Sequence, residues 1–202
     1  MRFVQLSITL WVAVLVPVYY VNHGLFHFLW LSDVALFLTL AAVWRQSTLL
    51  FSATLLYALP FELAWNIDFL VELFTGFNLM GIADYMFDDG EPLHLRLISL
   101  FHVYMFAIWI WLLFRWGYHR RAFSYAVWLW LATIPLSYWL TDPERNINWV
   151  YSVRELGIEW MPEWLWPVMM MILVPVIIYP ATHYLLKRYT REPAASRVFD
   201  SE

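Results

Sequence analysis

The sequence predicts an all-α integral membrane protein, a single bundle of six transmembrane helices with both termini in the cytoplasm. Three observations predict this class: the composition, six apolar segments of spanning length, and the positions of the basic residues. Of the 202 residues, 62% are hydrophobic, 20% aromatic and only 14% charged. Soluble domains have roughly 45–50% apolar and about 25% charged residues. Aromatic side chains in such excess are typical of proteins whose rings lie at a membrane–water boundary.

A transmembrane helix needs about 20 mostly apolar residues. Six segments meet this requirement, at positions 3–21, 25–44, 48–69, 97–114, 123–140 and 164–186. Arg2 precedes the first segment and no small-residue cleavage site follows it, so we expect a retained helix and not a removed signal peptide. Residues 1–190 are predicted to form one transmembrane domain, and the polar residues 191–202 a disordered cytoplasmic tail.

Basic residues fall at alternate ends of the predicted spans. With six spans, nine of the twelve Lys and Arg lie on one side, namely Arg2, Arg45, Arg115, Arg120, Arg121, Lys187, Arg188, Arg191 and Arg197. The positive-inside bias makes that side cytoplasmic. The connections 70–96 and 141–163 carry most of the acidic residues and are expected on the outside. A multi-pass protein of the bacterial inner membrane fits this pattern.

The composition also excludes several classes of function. There is no cysteine, so disulfides, thiolate metal ligands and a cysteine nucleophile are excluded. The basic residues are accounted for by topology, so no nucleic-acid partner is expected. No phosphate-binding glycine loop or GxSxG sequence is present. The lipid bilayer is therefore the one partner that the composition specifies, and the sequence names no cofactor.

Ionisable residues inside the spans are predicted to lie at one depth. At 1.5 Å per residue, Asp33 lies about 12 Å below the outer edge of span two and His102 about 8 Å below that of span four. Glu62 lies about 21 Å from the cytoplasmic edge of span three, in the outer half of the membrane. A charge in a span costs about 2.5–3.5 kcal/mol, so these three residues are expected to face one another. Asn66 shares a helix face with Glu62, and Asp68 is expected close to the outer surface.

The same residues permit structural interpretations. A single intramembrane histidine such as His102 often serves only in packing, and Ser32 can donate to a carbonyl one turn back in its own helix. His23 and His27 are four residues apart and can either bind a metal or stabilise an interface. Together, however, Asp33, Glu62 and His102 indicate a functional site, because intramembrane ionisable residues are functional candidates by default.

Three stretches, "NHGLFHFLWLSDVALFLTLAAVW", "LRLISLFHVYMFAIWIWLLFRWGYHRRAF" and "NINWVY", resemble a family of uncharacterised bacterial "membrane-associated" proteins. This resemblance covers roughly residues 20–185 and implies no activity. The layout is also similar to YwaF-type bacterial membrane proteins and to six-span eukaryotic lipid acyltransferases and fatty-acid-ester hydrolases. That similarity implies a nucleophile at Ser32 or Asp33 and a histidine at His102. The chain departs from these enzymes in its nucleophile. The acyltransferases use cysteine and the hydrolases threonine, whereas this chain has no cysteine and offers Ser32 or Asp33 at that place.

Four functions remain open from the sequence. The first is a lipid hydrolase or acyltransferase in which His102 is the general base and either Ser32 is the nucleophile or Asp33 orients His102. The second is a metal-dependent membrane enzyme, with Asp33, Glu62 and His102 joined by further candidate ligands at His23, His27, His94 and Asp68. The third is a proton, ion or small-solute transporter that uses Asp33, Glu62 and His102, for which a homo-oligomer is expected. The fourth is a non-enzymatic assembly or lipid-binding subunit.

Overall fold

A computed structural model describes residues 1–155, 157–158 and 160–193, and every regular element within them is helical. The all-α prediction is confirmed for this part of the chain. Four helical segments there are long and apolar enough to cross a membrane: Arg2–His23, Thr48–Thr75, Leu93–Trp116 and Leu165–Tyr189. From position 194 onward, the predicted disordered tail lies outside the described residues.

The described part of the chain contains nine α-helices. They are α1 (Arg2–His23), α2 (Leu31–Arg45), α3 (Thr48–Thr75), α4 (Leu93–Ser99), α5 (Phe101–Trp116), α6 (Ala122–Leu140), α7 (Ser152–Glu155), α8 (Leu165–Leu173) and α9 (Tyr179–Tyr189). Helices α4 and α5 follow each other as one apolar rod. A π-helical turn, Val174–Ile178, joins α8 to α9 and contains Pro175, whose missing N–H interrupts the regular hydrogen-bond ladder.

The long helices alternate in direction between two ends of the bundle. At the end that we call the basic end, Gln5 of α1 donates to the Val43 oxygen of α2, and the His119 N–H donates to Ser52 of α3. At the opposite end, called the acidic end, the Tyr19 hydroxyl of α1 lies 2.7 Å from Ser99 Oγ of α4. The connections 76–92 and 141–151, which hold most of the acidic residues between helices, lie at the acidic end.

Helix α3 forms the centre of the bundle and packs against α2, α5, α6 and α9. Eight consecutive residues of it, from position 51 to 58, are buried on all sides of the helix. Several of them are small, including Ser52, Ala53 and Ala58, which lets neighbouring backbones approach closely. Tyr57 and Tyr179 are buried as well, and the Tyr179 hydroxyl donates to the Tyr57 oxygen at 2.9 Å. The core therefore lies around α3.

The second predicted span differs from the structure. The continuous helix expected over 25–44 is divided, because Gly24 has a φ of 77° and Trp30 is extended, with a short 3₁₀ helix, Leu25–Leu29, between them. Helix α2 has only 15 residues and rises about 22 Å, less than the hydrocarbon thickness of about 30 Å. Asp33 consequently lies in the first turn of a helix and not in the middle of one.

The turn between α5 and α6 carries a glycine that no other residue can replace without strain. Gly117 has a φ of 80°, and a Cβ there would collide with the backbone oxygen of Arg191, which also accepts from the Tyr118 N–H at 2.9 Å. Gly76 has a similar φ of 68° but open space around it. The collision, and not the backbone angle, distinguishes the two positions.

Gly117→Ala is therefore expected to lower the free energy of unfolding by about 1–3 kcal/mol more than Gly76→Ala, because only the first forces backbone movement. Thermal unfolding of the two variants in detergent, followed by tryptophan fluorescence, measures the difference. Equal unfolding temperatures for the two variants would contradict the described approach of Gly117 to Arg191.

Candidate functional site

A cavity of about 470 Å³ lies at the acidic end, between α1, α2, α3 and the α4–α5 rod. This volume is in the usual range for small-ligand sites, about 300–1,000 Å³. The connections 76–92 and 141–151 contribute to its wall at the acidic end. Its lining combines aromatic rings with an unusual number of ionisable side chains, so it is the candidate site in the described part of the chain.

Glu62 of α3 and His102 of α5 form a buried pair in this cavity. Their side chains meet with 2.8 Å between Nδ1 of His102 and Oε2 of Glu62. Glu62 is 2% exposed and His102 8% exposed. The imidazole is stacked between the rings of Trp65 and Phe101, with ring centroids 4.2 Å and 4.1 Å from its own. Packing and hydrogen bonding together fix the orientation of this histidine.

The pairing sets the chemistry of the two imidazole nitrogens. A carboxylate accepts a hydrogen bond, so Glu62 holds the proton of His102 on Nδ1. In the neutral imidazole, the other nitrogen, Nε2, then carries the lone pair, and none of the described residues forms a hydrogen bond with it. A carboxylate that orients a histidine in this way leaves it able to act as a base toward a molecule in the cavity.

Asp33 and Ser32 enter the cavity from the first turn of α2. Asp33 is 2% exposed, and its Oδ1 has no hydrogen-bond partner among the described residues. It is the third residue of the helix, where the partial positive charge of the N-terminus favours a carboxylate. Ser32 precedes it and lines the same cavity. The helix start therefore presents a hydroxyl and a carboxylate to the cavity.

Asn148 determines where α2 begins. Its Oδ1 accepts from the Leu31 N–H at 2.8 Å, while its Nδ2 donates to the Leu29 oxygen and to Ser137 Oγ, both at 2.8 Å. Asn148 is 2% exposed and has a φ of 55°, which asparagine tolerates better than most residues. This side chain from the connection after α6 thus holds Ser32 and Asp33 at the cavity wall.

The four residues predicted as catalytic, Ser32, Asp33, Glu62 and His102, all line the one cavity. Their roles differ in one respect from expectation: Glu62, and not Asp33, contacts the imidazole of His102. Asn66, predicted to share the face of Glu62, does not line the cavity. Its Nδ2 donates to the Glu62 backbone oxygen at 2.8 Å and approaches the His102 backbone oxygen at 3.5 Å. Asn66 therefore connects the backbones of the two helices that carry the pair.

The candidate metal ligands do not assemble. His23 and His27 line the cavity but stack on each other with ring centroids 4.3 Å apart. His94 is exposed to solvent. Asp68 is fully buried and accepts from the N–H groups of Met80 and Ala83, because the connection 76–92 folds over it. No group of three or more His, Asp or Glu in the described residues is placed to hold a metal ion.

The sequence interpretation missed several residues of the cavity. They are Tyr19, Trp65, Tyr85, Arg96 and Asn148. Two of them could have been found from the sequence. Trp65 is three residues from Glu62 on the same helix, and Arg96 is a basic residue on the side where acidic residues predominate. Tyr85 lies in the connection after α3, and burial raises the pKa of its phenol well above the ordinary value, so the hydroxyl stays neutral.

A second cavity of about 790 Å³ lies between α3, α5 and α9, nearer the basic end. Leucines and aromatic residues form most of its wall, and it offers no carboxylate or histidine among the described residues. Of these two cavities, the one at the acidic end is therefore the one whose described lining offers groups for acid–base chemistry.

No protein-family model, curated protein or solved structure matches the chain. The resemblances drawn from the sequence stay predictions. Fold and site together define a class, a helical bundle with four helices of membrane-spanning length and a buried acid–base cavity at one end.

Asn148→Ala is expected to lower the free energy of unfolding by about 2–4 kcal/mol, since it leaves buried partners on α2 and α6 unpaired. Asn148→Gly suits the positive φ but also lacks the side chain, so an equal loss in both variants assigns the effect to the hydrogen bonds. Asn22→Ala, which removes one exposed contact, should change stability by less than about 0.5 kcal/mol. Chemical denaturation in detergent measures all three. Wild-type stability of Asn148→Ala would refute this role.

Proposed function

We propose that the chain is an inner-membrane protein with six spans, formed by α1, α2, α3, the α4–α5 rod, α6 and the α8–α9 segment, with both termini cytoplasmic. The alternating helix directions support this topology, as do the basic residues at one end of the bundle. Large apolar side chains on the outside of the bundle, such as Leu6, Leu10 and Trp128, support contact with lipid. Helix α2 is short, and Asn148 pairs the backbone groups at its start inside the bundle.

Because the chain has no native cysteine, single cysteines can test the topology. Asp89→Cys and Asp142→Cys, at the acidic end, should react with a membrane-impermeant maleimide in intact cells. Gln46→Cys and Arg188→Cys, at the basic end, should react only after the membrane is permeabilised. All four positions are exposed, so burial does not limit labelling. Labelling of Gln46→Cys from outside would show that α2 does not cross the membrane.

The activity proposed for the cavity is hydrolysis or transfer of an acyl group from a lipid ester. The single observation that supports it most is the 2.8 Å contact between Glu62 Oε2 and His102 Nδ1, which leaves Nε2 as a base. An outer-leaflet depth suits an ester bond beside the lipid headgroups. A hydroxyl on the cavity wall, Ser32, supplies a candidate nucleophile.

In the proposed reaction, Ser32 Oγ attacks the ester carbonyl and its proton passes to His102 Nε2, while Glu62 stabilises the imidazolium. The indole N–H of Trp65 has no partner among the described residues and lines the cavity, so it is available to donate to the developing oxyanion. The alcohol leaves with the proton from His102. Water, or an acceptor alcohol, then attacks the acyl-serine by the same base and releases Ser32.

The test compares cavity variants with matched controls in purified protein reconstituted in mixed phospholipid nanodiscs. His102→Ala and Ser32→Ala should each lower the rate of ester cleavage at least about 100-fold, the usual range for loss of a general base. His94→Ala and Ser124→Ala, both exposed, should leave the rate unchanged. Mass spectrometry of released fatty acids and lysolipids measures turnover.

Two further outcomes are informative. If His102→Ala is inactive while Ser32→Ala is active, His102 activates a water directly and no acyl-serine forms. If neither variant differs from the wild type, or if the wild type cleaves no lipid ester, the enzymatic proposal is wrong. Glu62→Gln separates orientation from charge, because glutamine retains the shape but not the carboxylate that favours the imidazolium.

A proton or cation transporter is the second candidate, favoured by the unpartnered Oδ1 of Asp33 in the same cavity as the Glu62–His102 pair. Neighbouring carboxylate and histidine side chains can pass protons between them. Ion flux in liposomes that is lost in Asp33→Asn and Glu62→Gln but kept in Ser32→Ala would favour transport over ester chemistry.

A further inference from the structure

We propose that this cavity binds a zwitterionic phospholipid headgroup that carries a primary ammonium, with the ammonium on Asp33 and the phosphate on Arg96. The inference names the substrate class of the proposed lipid enzyme and rests on that function. It follows from charged side chains of opposite sign that have buried polar atoms without partners in a single cavity.

The buried polar atoms without partners are concentrated in the cavity. Among the described residues, four buried side-chain atoms have no hydrogen-bond partner: Asp33 Oδ1, Trp65 Nε1, Glu72 Oε2 and Arg96 Nε. Three of these four residues line the cavity; only Glu72 does not. Buried polar groups in native proteins are nearly always paired, so such a cluster indicates that a ligand supplies the missing partners.

The surroundings of Asp33 suit an ammonium group. Its Oδ1 has no partner, and as a carboxylate Asp33 only accepts hydrogen bonds, so a ligand that pairs with the ionised form must carry an N–H or O–H. Tyr85 lines the same cavity, and the face of its ring can stabilise a cation. A quaternary ammonium has no N–H, so the hydrogen bond to Asp33 selects a primary ammonium such as that of ethanolamine.

The surroundings of Arg96 suit a phosphate. One terminal nitrogen, Nη1, approaches the Met86 oxygen at 3.4 Å, whereas the buried Nε has no partner. Guanidinium groups bind phosphate through several parallel N–H donors. Arg96 is also one of the few basic residues at the acidic end, so the positive-inside bias does not account for its position.

The two charged side chains belong to one cavity with continuous walls. Arg96 and Ser99 are three residues apart on α4, and Ser99 Oγ lies 2.7 Å from the Tyr19 hydroxyl of α1. Tyr19 in turn lines the cavity with Asp33 of α2. A ligand with only one charge would leave the opposite group unpaired, so one zwitterion fits better than either ion.

The experiment measures binding to the purified full-length chain in detergent, with no need for turnover. The soluble probes are glycerophosphoethanolamine, which carries both charges, glycerol phosphate, which carries the anion, and ethanolamine, which carries the cation. Glycerophosphocholine is the quaternary comparison. The lipid arm uses nanodiscs doped with phosphatidylethanolamine or phosphatidylglycerol in competition with the soluble probe, which distinguishes a lipid ligand from a free one.

We expect glycerophosphoethanolamine to bind about tenfold or more tightly than glycerol phosphate, ethanolamine or glycerophosphocholine. In Asp33→Asn it should bind no better than glycerol phosphate, and in Arg96→Gln no better than ethanolamine. Arg96→Lys should restore part of the phosphate preference. The matched controls, Glu72→Gln outside the cavity and Arg188→Gln at the basic end, should keep wild-type selectivity. Competition by phosphatidylethanolamine alone supports a lipid source.

The proposal is overturned if the zwitterion binds no better than its halves, or if Asp33→Asn and Arg96→Gln keep wild-type selectivity while remaining monodisperse and folded. If either variant does not fold, Asp33→Glu and Arg96→Lys replace it, and unchanged selectivity in both then overturns the proposal. Selective binding together with absent ester cleavage would refute only the enzymatic function. Ester cleavage without headgroup selectivity would refute only this inference.

Discussion

The hydrogen bond between Glu62 and His102 is the interaction on which the rest of the site depends. A carboxylate and an imidazole in an apolar bundle are stable there only when each supplies the other's partner. The pair joins the central helix α3 to α5, and the rings of Trp65 and Phe101 stack on both faces of the imidazole. The same contact that allows these groups to be buried uses only Nδ1 of the imidazole. Nε2 of His102 is therefore left to act on a molecule in the cavity.

The start of α2 is the second constraint, and it connects the fold to the site. A helix running without interruption from Gly24 would bury Asp33 in mid-helix, where its backbone N–H is already used. The break at Trp30 and the side chain of Asn148 instead place Asp33 in the first turn, close to unpaired backbone N–H groups and the positive end of the helix dipole. A short helix thus provides a polar cavity wall inside an apolar bundle.

The buried carboxylates of this protein differ in whether their oxygens have hydrogen-bond partners. Those with partners hold the fold together, and those without partners are candidates for binding a ligand. Asp68 is as deeply buried as Asp33, yet both of its oxygens accept from backbone N–H groups of the connection 76–92. It therefore holds that connection against α3, and each of its oxygens has a partner. Asp33, Trp65 and Arg96 each have a buried atom without one. Asp68 and Asp33 are both buried, and only the number of their hydrogen-bond partners distinguishes them.

The sequence by itself determined the helical class and four of the six expected spans, because long apolar segments are visible without tertiary information. It also predicted that Asp33, Glu62 and His102 lie near one another, since positions along helices follow from a fixed rise per residue. It did not determine the break before α2, the burial of Asp68 or the presence of Arg96 in the cavity. These depend on Asn148 and on the connection 76–92, which reach the site from distant positions in the chain. Only the tertiary structure decided which polar atoms are paired, since pairing depends on how helices rotate and pack against one another and not on their own periodicity.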